Sequence, residues 1–192
     1  EHVFNLINNW PKNKEKFLNI IGEKFSGKSH LINIFLEKNK GLKINSKNLN
    51  EKFLKETKFY QNIILEDLTT SIDEKLFYTL INIVDSENKH LVTTSEIPIM
   101  KMNFTLSDLH SRSKIFFLTR IENPDDDLIF ALILKNLSDR QISIDKKLID
   151  YIIKRIDRSY SNISDFIYKI DQISLKKKRS IDFKIIKEAL GD

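Results

Sequence analysis

The chain is predicted to fold as an α/β unit on a largely parallel sheet, followed by a smaller all-helical part. Three observations predict it. Short apolar runs alternate with helical stretches through residue 122; the alternation stops at Asn123-Pro124; and apolar residues then recur only at helical spacing.

In order along the chain, Lys16 to Ile21 reads as a strand, and Lys28 to Lys38 as a helix. Gly41 stands where a helix C-cap is expected, before a short strand at Leu42 to Ile44. Asn62 to Leu65 reads as a buried strand and Asp73 to Asp85 as an amphipathic helix. His90 to Thr94 and Lys114 to Leu118 complete a set of five strands. Pro124 ends the last of these segments, and Asp125-Asp126-Asp127 offers cap oxygens to a new helix. Four helices are expected after it, on Leu128/Ala131/Leu132, Leu148/Ile152/Ile156, Ile163/Phe166/Ile167/Ile170 and Phe183/Ile186/Ala189/Leu190. The predicted division is therefore 1–122 and 123–192, with no flexible linker between them.

Composition narrows the function. Lys plus Arg is 32 and Asp plus Glu 27, a net +5 with the charges interspersed, which does not fit a dedicated electrostatic DNA binder. Four glycines and three prolines among 192 residues are too few for a disordered chain. Without cysteine there are no disulfides, thiolate zinc sites or Cys nucleophiles, as suits a reducing compartment. No apolar run is long enough to span a bilayer, so a soluble, cytoplasmic chain without membrane contact is expected. Its first residue is Glu1, not Met, which leaves its natural start open.

The strongest local signal is Gly22-Glu23-Lys24-Phe25-Ser26-Gly27-Lys28-Ser29, a complete G-x-x-x-x-G-K-S. A loop that wraps a phosphate chain needs inward N–H groups and close backbone approach, which glycine permits. Lys28 would reach the β/γ-phosphates, Ser29 would ligate Mg²⁺, and the following helix would point its N-terminal dipole at the anion. The context fits, because the loop follows a strand and opens a helix. The partner acid comes from Ile63-Ile64-Leu65-Glu66-Asp67 at the end of a strand. Glu66 would hold the Mg²⁺ shell through water, and Asp67 would orient the attacking water.

With these residues in view, the chain resembles the AAA+ ATPases, in the branch that holds the bacterial replication initiator DnaA and its shorter relative Hda. The resemblance is carried by Gly22 to Leu31, Ile63 to Leu68, Leu91 to Pro98, Leu106 to Arg112, Ile121 to Leu128, Asp139 to Leu148 and Arg155 to Ile173. It is most similar to Hda-like proteins of alphaproteobacteria. The resemblance implies an AAA+ P-loop core with five parallel strands in the order 5-1-4-3-2, and a small all-α lid. It implies that ATP or ADP binds with Mg²⁺ along Gly22 to Ser29 and beside His30. Thr94, with Ser95, matches the position that senses the γ-phosphate. Arg112, after the helix that leads to the last strand, matches the arginine finger, supplied in trans to a neighbour's γ-phosphate. The family builds its sites between subunits, which extends to a homo-oligomer.

The implied role is an Hda-like negative regulator of replication initiation, stimulating hydrolysis of the ATP held by DnaA together with the sliding clamp. The chain departs from the pattern in three places. Glu66 replaces the usual Asp, and Ser164 replaces an arginine of the lid helix, so weak turnover of its own is implied. No clamp-docking peptide is seen near Glu1 to Trp10. Nothing after Asp192 provides a helix-turn-helix, so sequence-specific DNA binding is not expected. The alternative is a nucleotide-gated adaptor or loader that recruits another replication factor without turnover. A nucleotide kinase is the weakest reading, as no acceptor-binding arginine cluster is visible.

The remaining signals take plainer readings. Lys176 to Arg179 reads as a solvated helix end, and His2, His30, His90 and His110 lack metal-ligand spacing. Trp10-Pro11 reads as packing for the start of the chain, with adenine stacking as the alternative, and Phe116, Phe117, Phe130 and Phe166 as core.

Overall fold

The computed structural model describes residues 2–10 and 15–191, which form two compact units meeting at Ile121/Glu122. In the first unit, five parallel strands run in the order β2-β3-β4-β1-β5: β1 (Phe17–Ile21), β2 (Gly41–Asn45), β3 (Asn62–Leu68), β4 (His90–Ser95) and β5 (Phe117–Arg120). Its helices are α1 (His2–Asn9), α2 (Lys28–Lys38), α3 (Glu51–Glu56), α4 (Glu74–Ser86) and α5 (Ser107–Ser113). This is the expected strand order, read from the opposite edge.

All five residues of β1 are buried, as a central strand covered on both faces requires. On one face Phe17 joins Ile63, Leu65, Leu91 and the α4 stripe Phe77, Leu80, Ile81 and Val84. On the other, Leu18 and Ile20 meet Ile32, Phe35, Ile64 and Val92. Trp10, with no exposed surface, closes that second cluster together with Val3 and Ile7. Val3, Ile7 and Trp10, the last directly after α1, follow helical spacing, and Trp10 takes the packing role; Pro11 lies outside the described residues. Helix α4 begins where Asp73 Oδ1 accepts from Lys75 N and Leu76 N, both at 3.0 Å.

Four expectations are corrected. The fifth strand starts at Phe117 rather than Lys114, because α5 runs to Ser113 and Lys114 to Phe116 form the turn after it. Arg112 accordingly lies within the last turn of α5 rather than beyond it. Phe117 is 41% exposed and is not core, whereas Phe116 is buried against Phe17, with ring centroids 5.2 Å apart. Gly41 is not a cap: α2 ends at Asn39 in an extended conformation, and Gly41 opens β2. A Cβ there would stand 2.9 Å from Asn62 O and 2.8 Å from Leu36 Cδ2, so glycine is needed for close approach.

The second unit holds α6 (Asp126–Asp139), α7 (Lys146–Ile153), α8 (Tyr160–Lys177) and α9 (Phe183–Leu190). Their caps are side-chain oxygens of Asp125, Asp145, Ser159 and Asp182. One cluster fills the unit, including Ile129, Ile133, Leu137, Ile149, Ile152, Ile163, Ile167, Ile170 and Ile186. The basic end of α8 is a solvated, ion-paired helix end: Lys177 pairs with Glu188, and Arg179 with Asp182 at 3.6 Å. Among the described residues no helix is long and apolar enough to cross a membrane.

Candidate nucleotide site at the carboxyl ends of the strands

Where β1 ends, the chain enters the glycine loop. Gly22 N donates to Ser95 O at 3.1 Å, tying the loop to the end of β4. A Cβ on Gly22 would lie 2.5 Å from Ser26 Oγ and 3.3 Å from Ile121 Cβ, so a side chain there would push Ser26 into another rotamer and crowd the loop. Phe25 (φ 62°) and Gly27 (φ 87°) both take the left-handed conformation. This turns the chain into α2, whose first turn has no side-chain cap. Uncapped first-turn N–H groups at the positive end of a helix favour an anion.

Lys28 folds back over the loop, donating to Gly22 O at 2.7 Å and Glu23 O at 2.6 Å. Burial holds its ammonium below the usual lysine range, opposed by the negative charges of Glu96, Asp67 and Glu23. Ser26 Oγ is buried beside it without a hydrogen-bond partner. Lys24, Phe25, Ser29 and His30 are exposed on the loop and the start of α2.

The other expected residues sit on neighbouring strand ends. Asp67 is in the left-handed conformation (φ 53°) within a register shift between Leu65 and Leu68, so β3 bulges there. Its N donates to Thr94 Oγ1 at 3.0 Å, its Oδ2 accepts from Asn45 Nδ2 at 2.8 Å, and its carbonyl accepts from Ser46 Oγ at 2.6 Å. Thr94 is buried and joins the ends of β3 and β4. Glu66 has a partner that the sequence did not indicate: its Oε2 pairs with Lys43 Nζ on β2 at 3.3 Å, while Oε1 is buried without a hydrogen bond. Of the two acids at the end of β3, it is Asp67 whose charge reaches Lys28.

Beneath the loop, a buried network braces the site. Asn19 Nδ2 donates to Thr93 Oγ1 at 3.0 Å and to Ser95 Oγ at 2.9 Å, and its Oδ1 accepts from Ile99 N at 3.0 Å. Sequence reasoning did not single out Asn19; a polar residue in the middle of an otherwise apolar central strand was the available signal.

Arg112 is elsewhere. The strands are all parallel, and Gly22 to Ser29, Glu66, Asp67 and Thr94 gather at their carboxyl ends. Arg112 precedes β5, at the amino ends, with Asp85 and Lys16. One strand length, on the order of 15 Å for five residues, separates the two edges.

Such a sheet, with a glycine loop at the carboxyl end of β1 and a lysine folded over it, has the architecture of a P-loop core. Residues 125–190 match the family model described as the Hda lid domain. DnaA of Clavibacter sepedonicus is 19% identical over 122 residues, covering 64% of this chain and 25% of that protein. The chain thus spans about a quarter of the curated relatives it matches. Domain III of Thermotoga maritima DnaA superposes with a TM-score of 0.78 at 16% identity, over 100% of this chain and 90% of that one. AMPPCP-bound DnaA from Aquifex aeolicus gives 0.64 at 17% identity, over 91% and 61%. The Thermotoga maritima RuvB Holliday junction branch migration motor gives 0.65 at 14%, over 99% and 67%. Residues 125–190 are thus similar to an Hda lid, and the chain shares the fold of DnaA domain III.

Proposed function

We propose that this chain binds ATP or ADP through Gly22 to Ser29, and that it acts as a replication regulator by presenting Arg112 to ATP held by DnaA. Arg112 carries the reading. It sits at the sheet edge opposite the glycine loop, so a phosphate within its reach belongs to another chain's nucleotide. The relation to DnaA supports that initiator as the other chain, and the Hda-type lid supports a role in turning it off.

At the chain's own site, the loop N–H groups and Lys28 would hold the polyphosphate, and Thr94 would stand by its terminal phosphate. The oxygen donors here suit a hard cation. Ser29 would ligate Mg²⁺ directly and Glu66 through water, with Asp67 beside them to orient a water molecule. When bound, the ion supplies charge neutralisation along the phosphates. Supplied in trans, Arg112 would stabilise the charge that develops on a neighbour's γ-phosphate, an effect worth about 10³–10⁵ in rate where it has been measured in phosphoryl transfer.

The test mixes the protein with ATP-loaded DnaA, sliding clamp and DNA, and compares the native chain with Arg112→Ala. Native protein is expected to accelerate hydrolysis and the variant to fail; equal acceleration by both would exclude the finger role. A second reading, a nucleotide-gated adaptor without turnover of its own, is favoured by the pairing of Glu66 with Lys43 and by Ser164 in place of a lid arginine. Repeated turnover by the isolated chain would exclude it, whereas one tightly retained ADP without cycling would support it.

A further inference from the structure

We infer that Asp85 is a positioning residue for Arg112, fixing the guanidinium in the orientation in which it is offered to a neighbouring nucleotide. This rests on the trans reading above. Three segments converge at the amino ends of the strands. Arg112 Nη1 donates to Asp85 Oδ2 at 3.0 Å; Lys16 Nζ donates to Asp85 Oδ1 at 3.4 Å and to the Asp85 carbonyl at 3.1 Å. Lys16 directly precedes β1, Asp85 is in the last turn of α4, and Arg112 in the last turn of α5.

The backbone under Arg112 is already set. Leu109 and Ser113 are buried on the inner face of α5, and Ile115 N donates to Arg112 O at 3.2 Å. At the other end of α4, Glu74 accepts from Thr105 N at 2.9 Å and from Leu106 N at 2.6 Å, anchoring the start of α5. Glu74 and Asp85 are three turns apart, about 16 Å along α4. Together they hold the Thr105-to-Arg112 segment at both ends. What the backbone leaves free is the long side chain of Arg112, and Asp85 restrains it.

The contact orients the finger without silencing it. A guanidinium has five N–H donors, and the Asp85 contact takes one at Nη1, which leaves donors for an anion. Arg112 is part-exposed, within reach of a docking chain. Two cations share one carboxylate, so the cluster keeps a net positive charge that still attracts polyphosphate. The same two cations, Arg112 first, hold the Asp85 carboxyl below its usual range, so it stays ionised at neutral pH.

The experiment measures DnaA-bound ATP hydrolysis with the native full chain, Asp85→Asn, Asp85→Glu, Arg112→Ala and the Asp85→Asn/Arg112→Ala double variant. Each variant's own nucleotide affinity is measured in parallel. Freeing one long side chain is expected to lower the stimulated rate about three- to tenfold in Asp85→Asn, with own-site affinity unchanged. Asp85→Glu should recover part of the loss, and the double variant should be no worse than Arg112→Ala alone. Should Asp85→Asn fold poorly, Lys16→Met releases the other side of the carboxylate and is expected to lower the rate about twofold. Native or higher rates for Asp85→Asn, while Arg112→Ala is inactive, would overturn the positioning role and leave the trans finger standing. Full stimulation by Arg112→Ala would overturn the trans finger itself, and this inference with it.

Discussion

Replacing Asn19 tests how much of the site rests on one buried side chain. Asn19→Ala removes the acceptor of Ile99 N–H, and Ile99 is fully buried. An unsatisfied buried donor costs about 1–3 kcal/mol. Thr93 and Ser95 lose an incoming bond, but each hydroxyl keeps one of its own, to Leu18 O at 3.3 Å and Ile97 O at 2.7 Å. The vacated space adds about 1 kcal/mol. The expected total is about 2–4 kcal/mol, a large part of the roughly 5–15 kcal/mol that holds an ordinary domain together. Asn19→Leu fills the space and orphans the same N–H, so it should cost about 1–3 kcal/mol. Urea unfolding followed by tryptophan fluorescence reads this directly, because Trp10 is the chain's single tryptophan and sits in the α/β unit. A loss below about 0.5 kcal/mol for Asn19→Ala would refute the view that this network braces the loop and the end of β4.

Other outcomes follow from single positions. Gly41→Ala should cost about 1–3 kcal/mol in the same unfolding assay, since its Cβ would press on Asn62 O and Leu36. Gly22→Ala should weaken nucleotide binding in a filter or calorimetric assay, because the new methyl would displace the Ser26 side chain within the loop. Backbone N–H bonds from Thr105 and Leu106 hold the Glu74 carboxyl below its usual 4.5. A depressed carboxyl contributes stability fully above that value and loses it as pH falls through the folded-state pKa, so urea midpoints between pH 6 and 3 should fall less steeply in Glu74→Gln than in the native chain.

The loop at residues 22–29 was legible because its structure is local: the motif, the strand before it and the helix after it are contiguous. The helical unit was legible for a similar reason, since 3.6-residue periodicity and Asp or Ser caps are written along each segment. Features that depend on register or close approach were not. Lys43 meets Glu66 only once β2 is laid beside β3, with Asn45 opposite Glu66. Gly41 looked like a cap because it follows a helix, yet its reason is the crowding from Leu36 and Asn62 across the fold. The last strand slid by three residues because the apolar run Ile115-Phe116-Phe117-Leu118 is shared between a turn and a strand, and Phe116 is buried without belonging to the ladder. Helices α1 and α3 carried usable signals that periodicity alone passed over: the Val3/Ile7/Trp10 spacing, and Asn50 accepting from Phe53 N at 2.9 Å.

The nucleotide reading of this chain begins with an anionic tail lying in the loop after β1. Calorimetric titration of the native chain and Lys28→Ala with ATP and ADP, each with Mg²⁺, tests that most directly. Saturable one-site binding to the native chain, at least tenfold weaker in Lys28→Ala, is the predicted result: each phosphate-matched contact of a charged group is worth about 1.5–3 kcal/mol. A native chain that takes up no heat from either nucleotide at millimolar concentration, while fully folded by tryptophan fluorescence, would contradict it.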